Sequence, residues 1–170
     1  MKRRGFTITE LLIIIAVLGI LLTLGAVNLR GAQASARDEE RRGDIESISI
    51  HLENFYTSGS DDLPGGNYPS TAFIGEGEES IRSVLRDIHP NSLRAPGVAS
   101  PDISLVAASN NNSTNPEAIV PYPSVDEYVY QPLKSDGSLC TLVTDACRKF
   151  NIYYFLESAT SVQFVTSRNQ

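Results

Sequence analysis

Glu10 is the side chain in this sequence best placed to do chemistry. It belongs to the run Gly5-Phe6-Thr7-Ile8-Thr9-Glu10-Leu11, and from Leu11 to Val27 nothing is charged and Thr23 is the only hydroxyl. A carboxylate at membrane depth costs roughly 2.5 kcal/mol or more, so it calls for a partner. The nearest cations in sequence, Arg4 and Arg30, lie outside the apolar run. The partner is therefore expected from another molecule, which points to a subunit that associates inside the membrane.

The element that must carry Glu10 is a membrane helix. Residues 6–27 suffice for about 30 Å of hydrocarbon at about 1.5 Å per residue. Lys2-Arg3-Arg4 precede the run and hold the amino end in the cytoplasm by the positive-inside rule, so the bulk of the chain is exported. An ordinary secretory signal does not fit. The apolar run is too long, and the nominal Ala32-Gln33-Ala34 match lies past Asn28 and Arg30, inside a continuing helical pattern.

The motif Gly5-Phe6-Thr7-Ile8-Thr9-Glu10-Leu11, with its basic leader and apolar follow-on, resembles the processing and assembly motif of type IV pilins and type II secretion pseudopilins. The resemblance covers about the first 30 residues. It implies a cut between Gly5 and Phe6 by a prepilin peptidase, which then N-methylates Phe6. It also implies pairing of Glu10 with the Phe6 amine of a neighbouring subunit. The implied partners are further copies of the chain in a helical homopolymer, the peptidase/N-methyltransferase, an assembly ATPase and membrane platform proteins. Gly19 falls where the family often has glycine; Val27 stands where many relatives have proline.

Charge separates the two ends. From Asp44 onward 16 acidic residues outnumber 7 basic ones. Such a head repels phosphate, and direct nucleic-acid binding is not expected. Arg30, Arg37, Arg41 and Arg42 cluster on the helix just beyond the membrane segment, read either as a solvated face or as pairing between subunits along a fibre. Cys140 and Cys147 in an exported chain are a disulfide candidate closing a short loop. A metal shared by the two thiols is the less favoured alternative, since His51 and His89 are distant in sequence. Some pilins carry such a disulfide near the carboxyl end, and the stretch from Cys147 to Glu157 resembles the end of some bacterial pilins.

The remaining pattern predicts a helical spine and a small head. Ile45, Ile48, Leu52 and Phe55 form one apolar stripe at helical spacing, so the helix should run on to about Tyr56 and pack its outer half on the head. Residues 57–77 read as a loop and Glu79 to Ile88 as a short helix. Strands are predicted at Ile103–Ala107, Glu127–Gln131, Leu139–Val143, Phe150–Leu156 and Val162–Thr166, with a hairpin turn at Ser135–Ser138. The fold class expected is α+β: a long amino-terminal helix, its first half transmembrane, against a small antiparallel sheet. The expected domains are a leader at 1–5, a transmembrane and assembly helix at 6–28, its amphipathic half at 29–57 and a head at 58–170.

No phosphate loop, zinc-protease motif or nucleophile elbow is present, so no catalytic residue, cofactor or metal is expected. The function expected is a structural pilin of a type IV pilus, held in the cytoplasmic membrane before assembly and extracellular afterwards. The alternatives are a minor pilin or type II secretion pseudopilin, or a membrane-tethered binding head that does not polymerise.

Overall fold

The computed structural model describes residues 6–60, 63–98, 103–111 and 115–168, with the backbone alone at 25–28. Helix α1 spans Ile8–Ser58. Packing divides the chain within α1 into two units, Met1–Ala36 and Arg37–Gln170.

In the first unit the described chain is helix from Ile8 onward. Its leucines and isoleucines from Leu11 to Leu24 are exposed all round, and Phe6 is 77% exposed. Among the described residues α1 alone is long and apolar enough to cross a membrane. In the second unit the helix is amphipathic. Ile45, Ile48, Leu52 and Phe55 are all buried, as their spacing predicts. The helix stops at Gly59, which takes φ +68° and donates its N–H to the Phe55 carbonyl at 2.7 Å. A Cβ there would stand 2.5 Å from the Gly65 nitrogen, so only glycine closes this end.

Two short helices follow. Helix α2, Thr71–Gly75, lies in the stretch expected to be loop; Ser70 caps it by accepting the Phe73 N–H at 3.3 Å. Five residues are too few for a helical period to show in sequence. Helix α3, Glu78–Val84, is shorter than the predicted Glu79–Ile88. Beyond it the chain turns through Asp87 at φ +63°, and Leu85 and Ile88 still reach the core.

The sheet comprises β1 (Leu105–Ala107), β2 (Tyr128–Leu133), β3 (Lys149–Tyr154) and β4 (Gln163–Thr166), in that spatial order. Strands β2, β3 and β4 are antiparallel, as expected. Strand β1 instead pairs with β2 in parallel, which makes the sheet mixed. The reason is the connection from Ala108 to Glu127. It crosses the outer face of the sheet rather than turning back in a hairpin, as a parallel neighbour requires. Ala108 and Ile119 of this connection pack on Val129, Tyr153 and Val162.

The predicted strand Leu139–Val143 does not form. A single bridge joins Leu139 to Leu133. Past it the Asp145 carboxylate accepts the N–H groups of Thr141 and Leu142, both at 2.9 Å, donors a ladder would have used.

The inner face of the sheet carries Tyr128, Tyr130, Phe150, Ile152 and Tyr154, which pack with the α1 stripe and the apolar side of α2 and α3. The outer face holds a buried polar cluster. Asn151 Nδ2 and the Tyr153 hydroxyl donate to Gln131 Oε1 at 3.1 and 3.0 Å, and Gln131 Nε2 donates to the Asn110 carbonyl. All of β2 is therefore buried, on both faces.

Candidate functional site

The amino-terminal site is built on the first turn of α1. Thr7 precedes the helix, and its hydroxyl accepts the Glu10 N–H at 3.2 Å. Glu10 reaches back: its Oε2 accepts the Thr7 N–H at 2.9 Å and the Thr7 hydroxyl at 2.8 Å. This is a reciprocal capping box, which satisfies donors at the helix start. Glu10 thus has a local partner, where the sequence reading expected none within the segment. The pattern Thr-x-x-Glu ahead of an apolar run was the signal that could have revealed it. The bonds it makes among the described residues all fall on Oε2. Among the described residues Oε1 has no hydrogen-bond partner. Gly5, the other side of the expected cut, lies outside the described residues; Phe6 is the first residue within them.

The basic cluster expected on the helix resolves into two kinds of side chain. Arg42 is exposed and pairs with Glu39. Arg41 is 1% exposed and lies at the centre of a buried ion cluster. It donates to Asp38 at 3.0 Å, to Glu157 at 2.9 Å and to the carbonyls of Val125 and Pro96. Arg37 forks onto both oxygens of Glu157, at 2.7 and 2.6 Å. Asp38, equally buried, also accepts the N–H groups of Glu157 and Ser158. The Arg37 hydrogen bonds, with Arg41 adding to them, hold the Glu157 carboxyl down at about 2. Burial alone would raise Asp38, but the Ser158 and Glu157 bonds and the Arg41 charge bring it below the usual range. These pairs fix α1 to the segment after β3.

Asp44, one turn further along α1, is tuned in the opposite direction. Burial pushes its carboxyl up to about 6, against hydrogen bonds from Ser92 and Tyr128. Its folded value exceeds the ordinary 3.8, so between those values the folded chain binds more protons than the unfolded one. Stability from this group is fully present below about pH 4 and falls as pH rises toward 6. The shift corresponds to a loss of at most about 3 kcal/mol. Asp44→Asn should flatten that fall, and thermal midpoints measured from pH 4 to 7 check it. A wild-type midpoint that does not fall over this range counts against the assignment.

Cys140 and Cys147 are joined in a disulfide with Cα atoms 5.8 Å apart. The loop between them is braced by Asp145, which pairs with Lys134 at 2.9 Å. Leu142 and Val143 at its tip are exposed. His51 and His89 are not drawn to the cysteines. His51 Nδ1 faces the Ser47 carbonyl of its own helix, and His89 caps the short turn at Pro90–Leu93.

A single long helix, apolar and exposed at its start and amphipathic where it meets a small four-stranded sheet, defines a pilin-like α+β subunit. Residues 1–26 match the family described as the prokaryotic N-terminal methylation motif. That match agrees with the resemblance of residues 1–26 to the amino-terminal motif of type IV pilins and type II secretion pseudopilins. It is 33% identical over 70 residues to a type II secretion system core protein G of Pectobacterium carotovorum subsp. carotovorum, covering 41% of each chain. To the protein of the same name from Dickeya chrysanthemi it is 30% identical over 70 residues, covering 41% of this chain and 42% of the relative. The chain thus spans about two fifths of the length of these curated relatives. No solved structure matches it significantly.

Proposed function

We propose that this chain is the structural subunit of a type IV pilus, made as a precursor with residues 1–5 as leader. A prepilin peptidase cuts between Gly5 and Phe6 and N-methylates Phe6. Residues 6–28 then hold the subunit in the cytoplasmic membrane, residues 29–57 continue the helix, and residues 58–170 form the exported head. The observation that carries the reading is Glu10, its Oε2 held by Thr7 and its Oε1 without a partner among the described residues, at the start of a helix whose apolar residues from Leu11 to Leu24 are exposed. On assembly an Oε1 carboxylate partnered by the Phe6 amine of a neighbour forms a charge pair at low dielectric. That pair sets register and recruitment, while apolar packing of the helices supplies cohesion. An assembly ATPase and membrane platform proteins are the further partners, and the fibre is extracellular. The role is structural rather than enzymatic.

The names of the two relatives favour a second reading, a pseudopilin of a type II secretion system. The disulfide-bounded loop in the head supports the pilus. Both readings share one test: mass spectrometry of the protein from its native host. The expected result is an amino terminus at Phe6 bearing one added methyl; an intact Met1-Lys2-Arg3-Arg4 start overturns both. Electron microscopy of cells lacking the gene then separates them, since a pilus subunit is needed for surface fibres and a pseudopilin for secretion.

A further inference from the structure

Among the described residues the head carries two unpaired sheet edges, β1 and β4, that complement one another. On β1, Ser104 and Ala108 turn their backbone groups to β2, with the Tyr128 N–H on the Ser104 carbonyl and the Ala108 N–H on the Tyr130 carbonyl, both at 2.8 Å. By the alternation of a parallel ladder, Leu105 and Ala107 point theirs away from β2, and no partner meets them among the described residues. On β4 the Ser167 N–H bonds the Phe150 carbonyl at 2.9 Å, so the backbones of Phe164 and Thr166 point outward in the same way. Neither strand contains proline or a charged residue, the usual protection of an exposed edge.

Charge and direction fit as well. A groove runs along β1, floored by Ile74, Ile81 and Ile103 and bordered by Glu78, which pairs with Arg82 at 2.6 Å; Glu79 follows Glu78 on α3 outside the groove lining. Strand β4 is followed by the exposed Arg168, opposite Lys149 by register. Strand β1 runs parallel to β2, and β4 is reached from β2 through two antiparallel steps, so β1 and β4 point the same way. A copy rotated about and shifted along a fibre axis keeps its helix direction. Where its strands keep their direction as well, such a copy brings its β4 against β1 as a parallel strand.

We propose that β4 of one copy adds to the β1 edge of the next, joining heads into a continued sheet; this rests on the polymerisation proposed above. The contact is heterologous, and a heterologous contact that does not close builds a filament. Val106 and Thr166 lie on the outer face of the sheet, by register with Val129 and Asn151. The test is disulfide trapping in the full-length chain with its assembly machinery. Copies bearing Val106→Cys and copies bearing Thr166→Cys, co-expressed and mildly oxidised, should give covalent dimers at least tenfold above either copy alone. Equal dimer yields from one variant alone overturn the inference. Fibres visible by electron microscopy without the mixed dimer overturn it and leave polymerisation standing; absence of both fibres and dimer overturns both. Charge exchange supplies a check that does not touch the strands. Glu79→Lys and Arg168→Glu should each cut the dimer yield severalfold and together restore it; a pair no better than the singles counts against the contact.

Discussion

Replacing Glu10 with alanine is expected to leave the chain in the membrane and to cut fibre yield at least tenfold. The apolar run that inserts is unchanged, so membrane levels should match the wild type. Assembly differs, because under the proposed pairing the Phe6 amine of a neighbour then loses its counter-charge, and breaking a buried pair costs about 3–5 kcal/mol. That is worth a factor of roughly 100 or more. Glu10→Gln divides the two roles of the side chain. Glutamine keeps the capping box with Thr7 but offers no charge to an amine. It should therefore fail to assemble nearly as badly as alanine. Thr7→Ala, which removes the cap and leaves the charge, should cost only about 1 kcal/mol of helix stability and lower yield modestly. Quantitative blotting of membrane and sheared-fibre fractions reads all three. Wild-type yield from Glu10→Gln would sink the charge-pair mechanism.

The second large effect belongs to the head. Arg41→Ala should destabilise it by about 3–5 kcal/mol, because Asp38 stays buried without its cation and the carbonyls of Val125 and Pro96 lose their donor. For a domain of this size that lowers the thermal midpoint by roughly 10–20 °C. Arg42→Ala, at an exposed pair one residue on, should change it by less than about 1 kcal/mol. Thermal melts of the full chain in detergent, followed by the tyrosine near-ultraviolet circular dichroism, make the comparison. Similar midpoints for the two variants would show that burial of Arg41 matters little.

Much of this was legible in the sequence, for definite reasons. The stripe Ile45, Ile48, Leu52 and Phe55 repeats at helical spacing, and Tyr128/Tyr130 and Phe150/Ile152/Tyr154 alternate, because each lies on an element with one face on a common core. What escaped was set by contacts far apart in the chain. The parallel pairing of β1 depends on where the 108–127 connection lies. Val129 and Gln131 are buried because that connection covers the outer face, which alternation within β2 does not encode. Arg41 and Arg42 are the same residue type side by side on one helix; only the approach of Glu157, more than a hundred residues later, separates a buried ion from a solvated one. Among the site residues Glu10 stood out as a charge in an apolar run, whereas Thr7 looked like one more small polar residue.

The clasp between Asp38 and the backbone of Glu157 and Ser158 also sets a clock. The helix that carries Asp38 and Arg41 is made first, and the residues that cover them follow about 120 positions later. At roughly 5–20 residues per second of synthesis, that gap lasts about 6–24 s. For most of it the stripe lacks β3, whose Phe150, Ile152 and Tyr154 share its core, and β4 is made only after Glu157. The clasp therefore closes late in synthesis, and a chain shortened before Glu157 would leave the Asp38 carboxylate without its two backbone donors.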